Sequence, residues 1–211
     1  HGHTPNGLSE DEKLDDSDFN DLAKFSGAQL LDAFVYGQFD VNDMSLDVRL
    51  GKQVVSWGES TFIFGGINAI NPVDISAFRR PGAEIKEGLI PVNMAFASIG
   101  LTDNLSAEGF YQLEFQETVI PGCGTYFSTN DYAPQGCEIA LTAAGPLSRV
   151  SDDKARDDGQ FGLAFRYLAE NLGDTEFGLY FMNIHSRTPL ISGLKHNLSA
   201  QQQGQIQSDA I

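Results

Sequence analysis

The chain has 211 residues, with 13 Lys+Arg against 29 Asp+Glu and a formal net charge of −16. That balance argues against nucleic acid as a partner and against docking on anionic lipid headgroups through a basic patch. No apolar run approaches the roughly 18 residues of a membrane-crossing helix, and 22 Gly with 15 Phe at 41% apolar residues suit strands and turns better than a helical bundle.

Residues 1–28 read as an acidic loop region. Glu10, Asp11, Glu12, Asp15, Asp16, Asp18 and Asp21 face only Lys13 and Lys24. Hard cations take clustered carboxylates, but the spacing of a calcium-binding helix–loop–helix is missing, so a solvated loop is expected and no metal site is assigned. No basic-then-apolar leader opens the chain, and both ends read as cut. The sequence is therefore expected to be an internal portion of a longer chain.

From Gln29 the pattern turns to period two. In Gln29–Phe39, Leu31, Ala33, Val35, Gly37 and Phe39 share one face, while Asp32, Phe34, Tyr36 and Gln38 share the other. After an Asn/Asp turn, Leu46, Val48, Leu50 and Val54 oppose Asp47, Arg49, Gly51 and Gln53 in Ser45–Trp57. Two such runs across a short turn predict a β-hairpin. The unit returns at Val92–Leu101 with Leu105–Gln116, and again at Gly159–Tyr167 with Thr175–His185. In the second hairpin Ala107, Tyr111 and Leu113 oppose Glu108, Gln112 and Glu114; in the third, Leu163 and Phe165 oppose Arg166.

The organisation read from this is a barrel domain over 29–185, with long loops at 58–91 and 117–158 and a polar loop over 186–211. Strands of about ten residues with short turns at one end and long loops at the other are the pattern of a transmembrane β-barrel. The fold class is thus all-β: antiparallel hairpins forming part of such a barrel. A soluble antiparallel sandwich with one wet face alternates in the same way and stays open as an alternative. Six strands are too few to close a membrane barrel, so either the parent chain supplies more strands or the fold is not a membrane barrel.

Several separated motifs carry a resemblance. Leu50-Gly51-Lys52-Gln53-Val54-Val55-Ser56-Trp57-Gly58-Glu59-Ser60 is followed by Asn71-Pro72-Val73-Asp74 and by Glu84-Ile85-Lys86-Glu87-Gly88-Leu89-Ile90-Pro91-Val92. Farther on come Gly124-Thr125-Tyr126-Phe127-Ser128-Thr129-Asn130-Asp131 and Asp174-Thr175-Glu176-Phe177-Gly178-Leu179-Tyr180. In this order they resemble a proteobacterial outer-membrane family known only as domain of unknown function 1302, over about Phe25 to Leu194. The resemblance implies a porin-like barrel in the outer membrane of a Gram-negative bacterium. It implies outer-membrane lipid and lipopolysaccharide as surroundings, with a periplasmic companion and an inner-membrane pump as partners. It also suggests movement of apolar molecules or envelope lipids, and it supplies no catalytic residues.

In an exported protein, Cys123 and Cys137 read as a disulfide closing a loop worth roughly 3 kcal/mol. Lumen-lining candidates on the charged strand faces are Asp47, Arg49, Glu108, Gln112, Glu114 and Arg166. Trp57-Gly58-Glu59 marks a strand-to-loop junction. One reading gives Glu59 a substrate-orienting role or an ion pair with Arg79 or Arg80. The favoured reading is structural, with Trp57 in an aromatic girdle, Gly58 in a tight turn and Glu59 capping backbone. The following loop, Phe62–Ile70, is apolar and is expected to fold inward and constrict the lumen, with a short helix at Asp74–Phe78. Arg79-Arg80 is expected to pair with loop carboxylates rather than lipopolysaccharide phosphates. An enzyme is not expected: no nucleophile elbow appears, and Glu108 and Glu114 stand roughly 20 Å apart along a strand, too far for a glycosidase pair. No cofactor is expected. The expectation is a channel or conduit; the alternatives are a surface-exposed adhesive or structural barrel, or a soluble β-sandwich carbohydrate binder.

Overall fold

The computed structural model describes residues 14–58, 66–82, 84–129, 132–137, 139–142 and 145–193. Its strands are β1 (Ala33–Val41), β2 (Met44–Gln53), β3 (Val92–Thr102), β4 (Leu105–Gln112), β5 (Ile139–Thr142), β6 (Gly145–Ser148), β7 (Phe161–Ala169) and β8 (Thr175–Asn183). Six of them form one antiparallel sheet in the order β1-β2-β3-β4-β7-β8, while β5 and β6 pair only with each other. The sheet is not closed: β1 and β8 are its edges. The only α-helix is a single turn, α1 (Ile85–Gly88), among the described residues.

The three short turns lie at one end because each joins consecutive antiparallel strands. Asn42 and Asp43 both take left-handed φ, at 50° and 64°. That is the two-residue primed turn whose twist matches a hairpin, and Asn and Asp tolerate it. Between β3 and β4 the register shifts between Gly100 and Thr102, a bulge that tightens the bend. A short 3-10 turn at Glu170–Leu172 stops at Gly173, φ 70°, before β8 begins. The long connections at the opposite end join β2 to β3 and β4 to β7.

Register gives the sheet two chemically different faces. One cross-strand row runs Phe39, Leu46, Ile99, Ala107, Phe165, Leu179 across all six strands. The next row, one residue along and on the other face, runs Gln38, Asp47, Ser98, Glu108, Ala164, Tyr180. The apolar face is bare: Val35 is 69% exposed and Leu179 71%, and Phe39, Leu50, Leu163, Phe165, Phe177 and Phe181 are exposed with them.

The hydrophobic core lies on the polar face, toward the long-loop end. Trp57, Val92, Met94, Phe96, Phe110 and Ala164 are buried there with Val55 and Ile70, and Ile67, Tyr180, Met182 and Ile184 pack around them. The Trp57 ring lies 5.2 Å from Phe110 and 5.9 Å from Tyr180. Gly162 makes room for it: a Cβ there would stand 2.5 Å from Phe110 and 2.8 Å from Trp57. Burial of each such side chain contributes roughly 1.5–3 kcal/mol.

The chain divides into two compact units. The sheet with its core belongs to residues 25–120 and 152–188. The other unit gathers residues up to Lys24, 121–151 and those from Pro189 onward. In it Cys123 and Cys137 are disulfide-bonded, Cα–Cα 6.0 Å, and Phe19 packs on the bridge.

Several sequence expectations are corrected in detail. β2 ends at Gln53 and β4 at Gln112, short of Trp57 and Gln116, because loop segments take over the backbone bonds beyond; Val55 N–H donates to the Asn71 side chain, and Phe115 N–H to Asp157. The region 117–158 is not one loop but contains the β5–β6 hairpin. In place of a helix at Asp74–Phe78 there is a 3-10 turn at Ala77–Arg79.

Candidate functional site

Strand pairing brings Asp47, Arg49 and Glu108 to one side of the sheet, around a pocket of about 360 Å³ shared with Tyr36, Phe96 and Ser98. The Arg49 guanidinium does not pair with a carboxylate of the described residues. It lies over the Phe96 ring at 4.2 Å from the centroid, with Phe34 at 5.7 Å, a cation–π arrangement. Asp47 accepts a hydrogen bond from the Gln38 amide at 2.7 Å. Glu108 is held by Arg166, whose Nη1 is 2.8 Å from its Oε1. Arg166 also reaches the Tyr180 hydroxyl at 3.4 Å and Glu176 at 4.0 Å. β2, β4 and β7 thus carry opposite charges on one face without wholly neutralising them, while β3 between β2 and β4 places Phe96 and Ser98 there.

Gln112 and Glu114 are placed differently from the other lumen candidates. Gln112 is fully buried: its amide donates to the Ile70 carbonyl at 2.8 Å, and its carbonyl accepts from Arg187. The Glu114 carboxylate accepts from both the backbone N–H and the side-chain amide of Asn93, each at 2.9 Å, bracketing the chain after β4 to the start of β3. Neither is a free wall group: Ile70 O and Arg187 hold the Gln112 amide, and Asn93 of β3 holds the Glu114 carboxylate.

Ile70 belongs to the segment from Gly66 to Pro91, whose residues Ile67 and Ile70 lie on the polar face. Asn71 anchors it: its Oδ1 accepts from Val55 N–H at 3.0 Å, and its Nδ2 donates to the carbonyls of Gln53 and Ile90 at 3.2 and 2.9 Å. Arg187, buried just after β8, donates to Ile70 O and Gln116 O at 3.1 Å each. No carboxylate of the described residues pairs with Arg187, and burial pulls its pKa down to about 10. Asp74 is also fully buried. Its Oδ1 accepts from the N–H groups of Ser76 and Ala77 at 2.9 and 3.2 Å, shaping the turn that follows. Burial raises its pKa above the usual carboxylate range, against the opposing pull of those two bonds and of Arg80. Sequence reasoning did not single out Arg187, Asn71 or Asp74 as anchors; Asn71-Pro72-Val73-Asp74 had marked two of them only as a family motif.

The junction motif divides. Trp57 is 3% exposed in the core, so it is not in an exposed aromatic girdle. Gly58 takes φ 141°, in the region that favours glycine, with Ile67 against it. Glu59 lies outside the described residues, as do Phe62 to Gly65 of the apolar run Phe62–Ile70; the rest of the run, from Gly66, packs with Ile67 and Ile70 on the core. Arg80 faces the loop carboxylate Asp74 at 3.8 Å. Arg79 closes the 3-10 turn. Of the acidic loop, Glu10, Asp11, Glu12 and Lys13 lie outside the described residues, while Asp21 pairs with Lys24 at 2.6 Å. Among the described residues no group of His, Cys, Asp or Glu is placed to hold a metal ion.

The family model described as protein of unknown function (DUF1302) matches residues 1–210. The chain belongs to this family. No curated protein matches the DUF1302 chain, and no solved structure matches it. The family description names no chemistry, so any function has to be argued from the two faces of the sheet.

Proposed function

We propose that this DUF1302 chain forms part of the wall of an outer-membrane β-barrel that acts as a conduit, its charged face turned to the interior and its apolar face to lipid. The supporting observation is which face is bare. A soluble sandwich covers its apolar face with a second layer. Here the covering segment, with Ile70, Asn71 and Pro72, lies on the face that carries Asp47, Arg49, Glu108 and Arg166, while the aliphatic and aromatic rows stay exposed. In lipid that exposure is favourable, and a basic side chain on the same face at midplane would cost about 2–4 kcal/mol. The open edges β1 and β8 would then need further antiparallel strands, because unpaired backbone in hydrocarbon costs several kcal/mol per group.

On this reading the segment over the core narrows the interior, and solutes pass along the polar row. Apolar molecules or envelope lipids are the cargo suggested by the family resemblance, with lipopolysaccharide around the outer end and a periplasmic companion and inner-membrane pump as proposed partners. Trp57, the only tryptophan, provides the test. In a full-length parent chain with any other tryptophan replaced by Phe, inserted in vesicles of acyl-brominated lipid, Trp57 should escape quenching, and a Trp57→Phe, Leu179→Trp variant should be strongly quenched. Equal protection at both positions would overturn the lipid-facing assignment.

A further inference from the structure

We propose that the pocket on the polar face, between β1, β2, β3 and β4, binds a small zwitterion, with its anionic group on Arg49 and its ammonium on Asp47 and Glu108. Asp47 and Arg49 share a face two residues apart, roughly 7 Å along the strand. Opposite charges so placed ordinarily neutralise each other. Here each is engaged by a neutral neighbour instead: Arg49 by the Phe96 ring at 4.2 Å, Asp47 by the Gln38 amide at 2.7 Å. A guanidinium has five N–H donors in a rigid fork, and none of those on Arg49 bonds an acceptor among the described residues. Glu108 gives one oxygen to Arg166 and keeps the other. Ser98 stands between Asp47 and Glu108 in register, placing a hydroxyl between the two carboxylates.

Selectivity follows from this charge pattern. A lone anion on Arg49 meets two carboxylates, and a lone cation on Asp47 meets the guanidinium. Only a molecule carrying both charges across a short linker gains at both ends, so the arrangement selects against each single ion. The volume of about 360 Å³ admits a solute of headgroup size. The same chemistry occurs in a free zwitterionic solute and in the headgroup of a zwitterionic lipid. The inference rests on the conduit reading for its role in passage, but binding itself is measurable without it.

The experiment is binding of glycerophosphocholine to the folded protein in detergent, with glycerol 3-phosphate and choline as single-charge controls. The zwitterion should bind about tenfold more tightly than either control, and Arg49→Gln and Asp47→Asn should each weaken it about tenfold while Trp57 emission stays native. Lysophosphatidylcholine separates the sources: a larger Asp47- and Arg49-dependent affinity assigns the site to lipid, and an equal one to a free solute. Binding of glycerol 3-phosphate as tight as the zwitterion, or binding that neither substitution changes, would overturn the proposal. So would the absence of zwitterion binding. Loss of binding with the Leu179→Trp quenching intact removes the pocket alone; binding without that quenching removes the membrane reading alone.

Discussion

At the scale of single residues, the molecule relies on buried polar anchors that hold irregular backbone on the sheet. Asp74 is the anchor whose charge changes on the acid side of neutral pH. Its folded pKa is raised above the unfolded value, so the folded segment takes up a proton that the opened segment releases. The associated stability is fully present below the unfolded carboxylate pKa and is lost as pH rises through the folded one. Opening of the segment should therefore become easier from acid toward neutral pH. The reporters are the N–H of Asp74, bonded to Gly88 O at 2.8 Å, and that of Ile90, bonded to Pro72 O at 2.9 Å. Asp74→Asn keeps an oxygen for the Ser76 and Ala77 N–H groups but cannot ionise. Amide exchange, corrected for intrinsic rates, should lose its pH-dependent opening in this variant and show greater protection at neutral pH. The same slope in both proteins would show that Asp74 does not couple to opening.

At the scale of elements, strands and loops are secured by different means. The strands depend on period-two alternation and turn chemistry, which is why their pairing was readable from the sequence. The loops depend on long-range bonds such as Asn71 to Gln53 and Arg187 to Ile70, between residues whose sequence separation hides the relation. The disulfide is an intermediate case: a pair of cysteines in a chain expected to be exported announces it, but not that Phe19 closes over it. A Cβ at Gly122 would stand 2.0 Å from the Phe19 ring, so this packing needs glycine. Reduction should remove about 3 kcal/mol of restraint on the Cys123–Cys137 loop. Amide exchange at Ala23, whose N–H bonds Asn20 O at 2.8 Å, and at Cys123 should accelerate strongly after reduction, while β2 and β3 amides keep their rates. Unchanged exchange at Ala23 and Cys123 would mean that the bridge does not hold this packing.

At the scale of the whole molecule, the decisive property is the sidedness of the sheet. Phe165 and Ser98 are both central in their strands, but on opposite faces. An arginine at position 165 enters the lipid on the proposed reading and should cost about 2–4 kcal/mol near midplane. An arginine at position 98 enters the polar side, where carboxylates stand on both neighbouring strands. Refolding into lipid vesicles should therefore be impaired by Phe165→Arg far more than by Ser98→Arg, read as the shift of the urea midpoint. Equal shifts would deny the sheet a lipid-facing side.

The sequence by itself determined the all-β class, the six paired segments, the position of their short turns, the disulfide and the family. These are local properties: period-two alternation decides which side chains share a face, and Asn/Asp and Gly supply the left-handed turn residues. Only the tertiary structure decided which face the loop covers, because alternation is identical whichever side is buried. It also separated the candidates that sequence had grouped on one face. Asp47, Arg49 and Glu108 remain around an open pocket, whereas Gln112 is bonded under the folded segment and Glu114 to Asn93 at the start of β3. Trp57 moved from a presumed girdle to the core for the same reason. Its place depends on Phe110, Gly162 and Tyr180, brought beside it by pairing across the sheet, which no local pattern around Trp57 encodes.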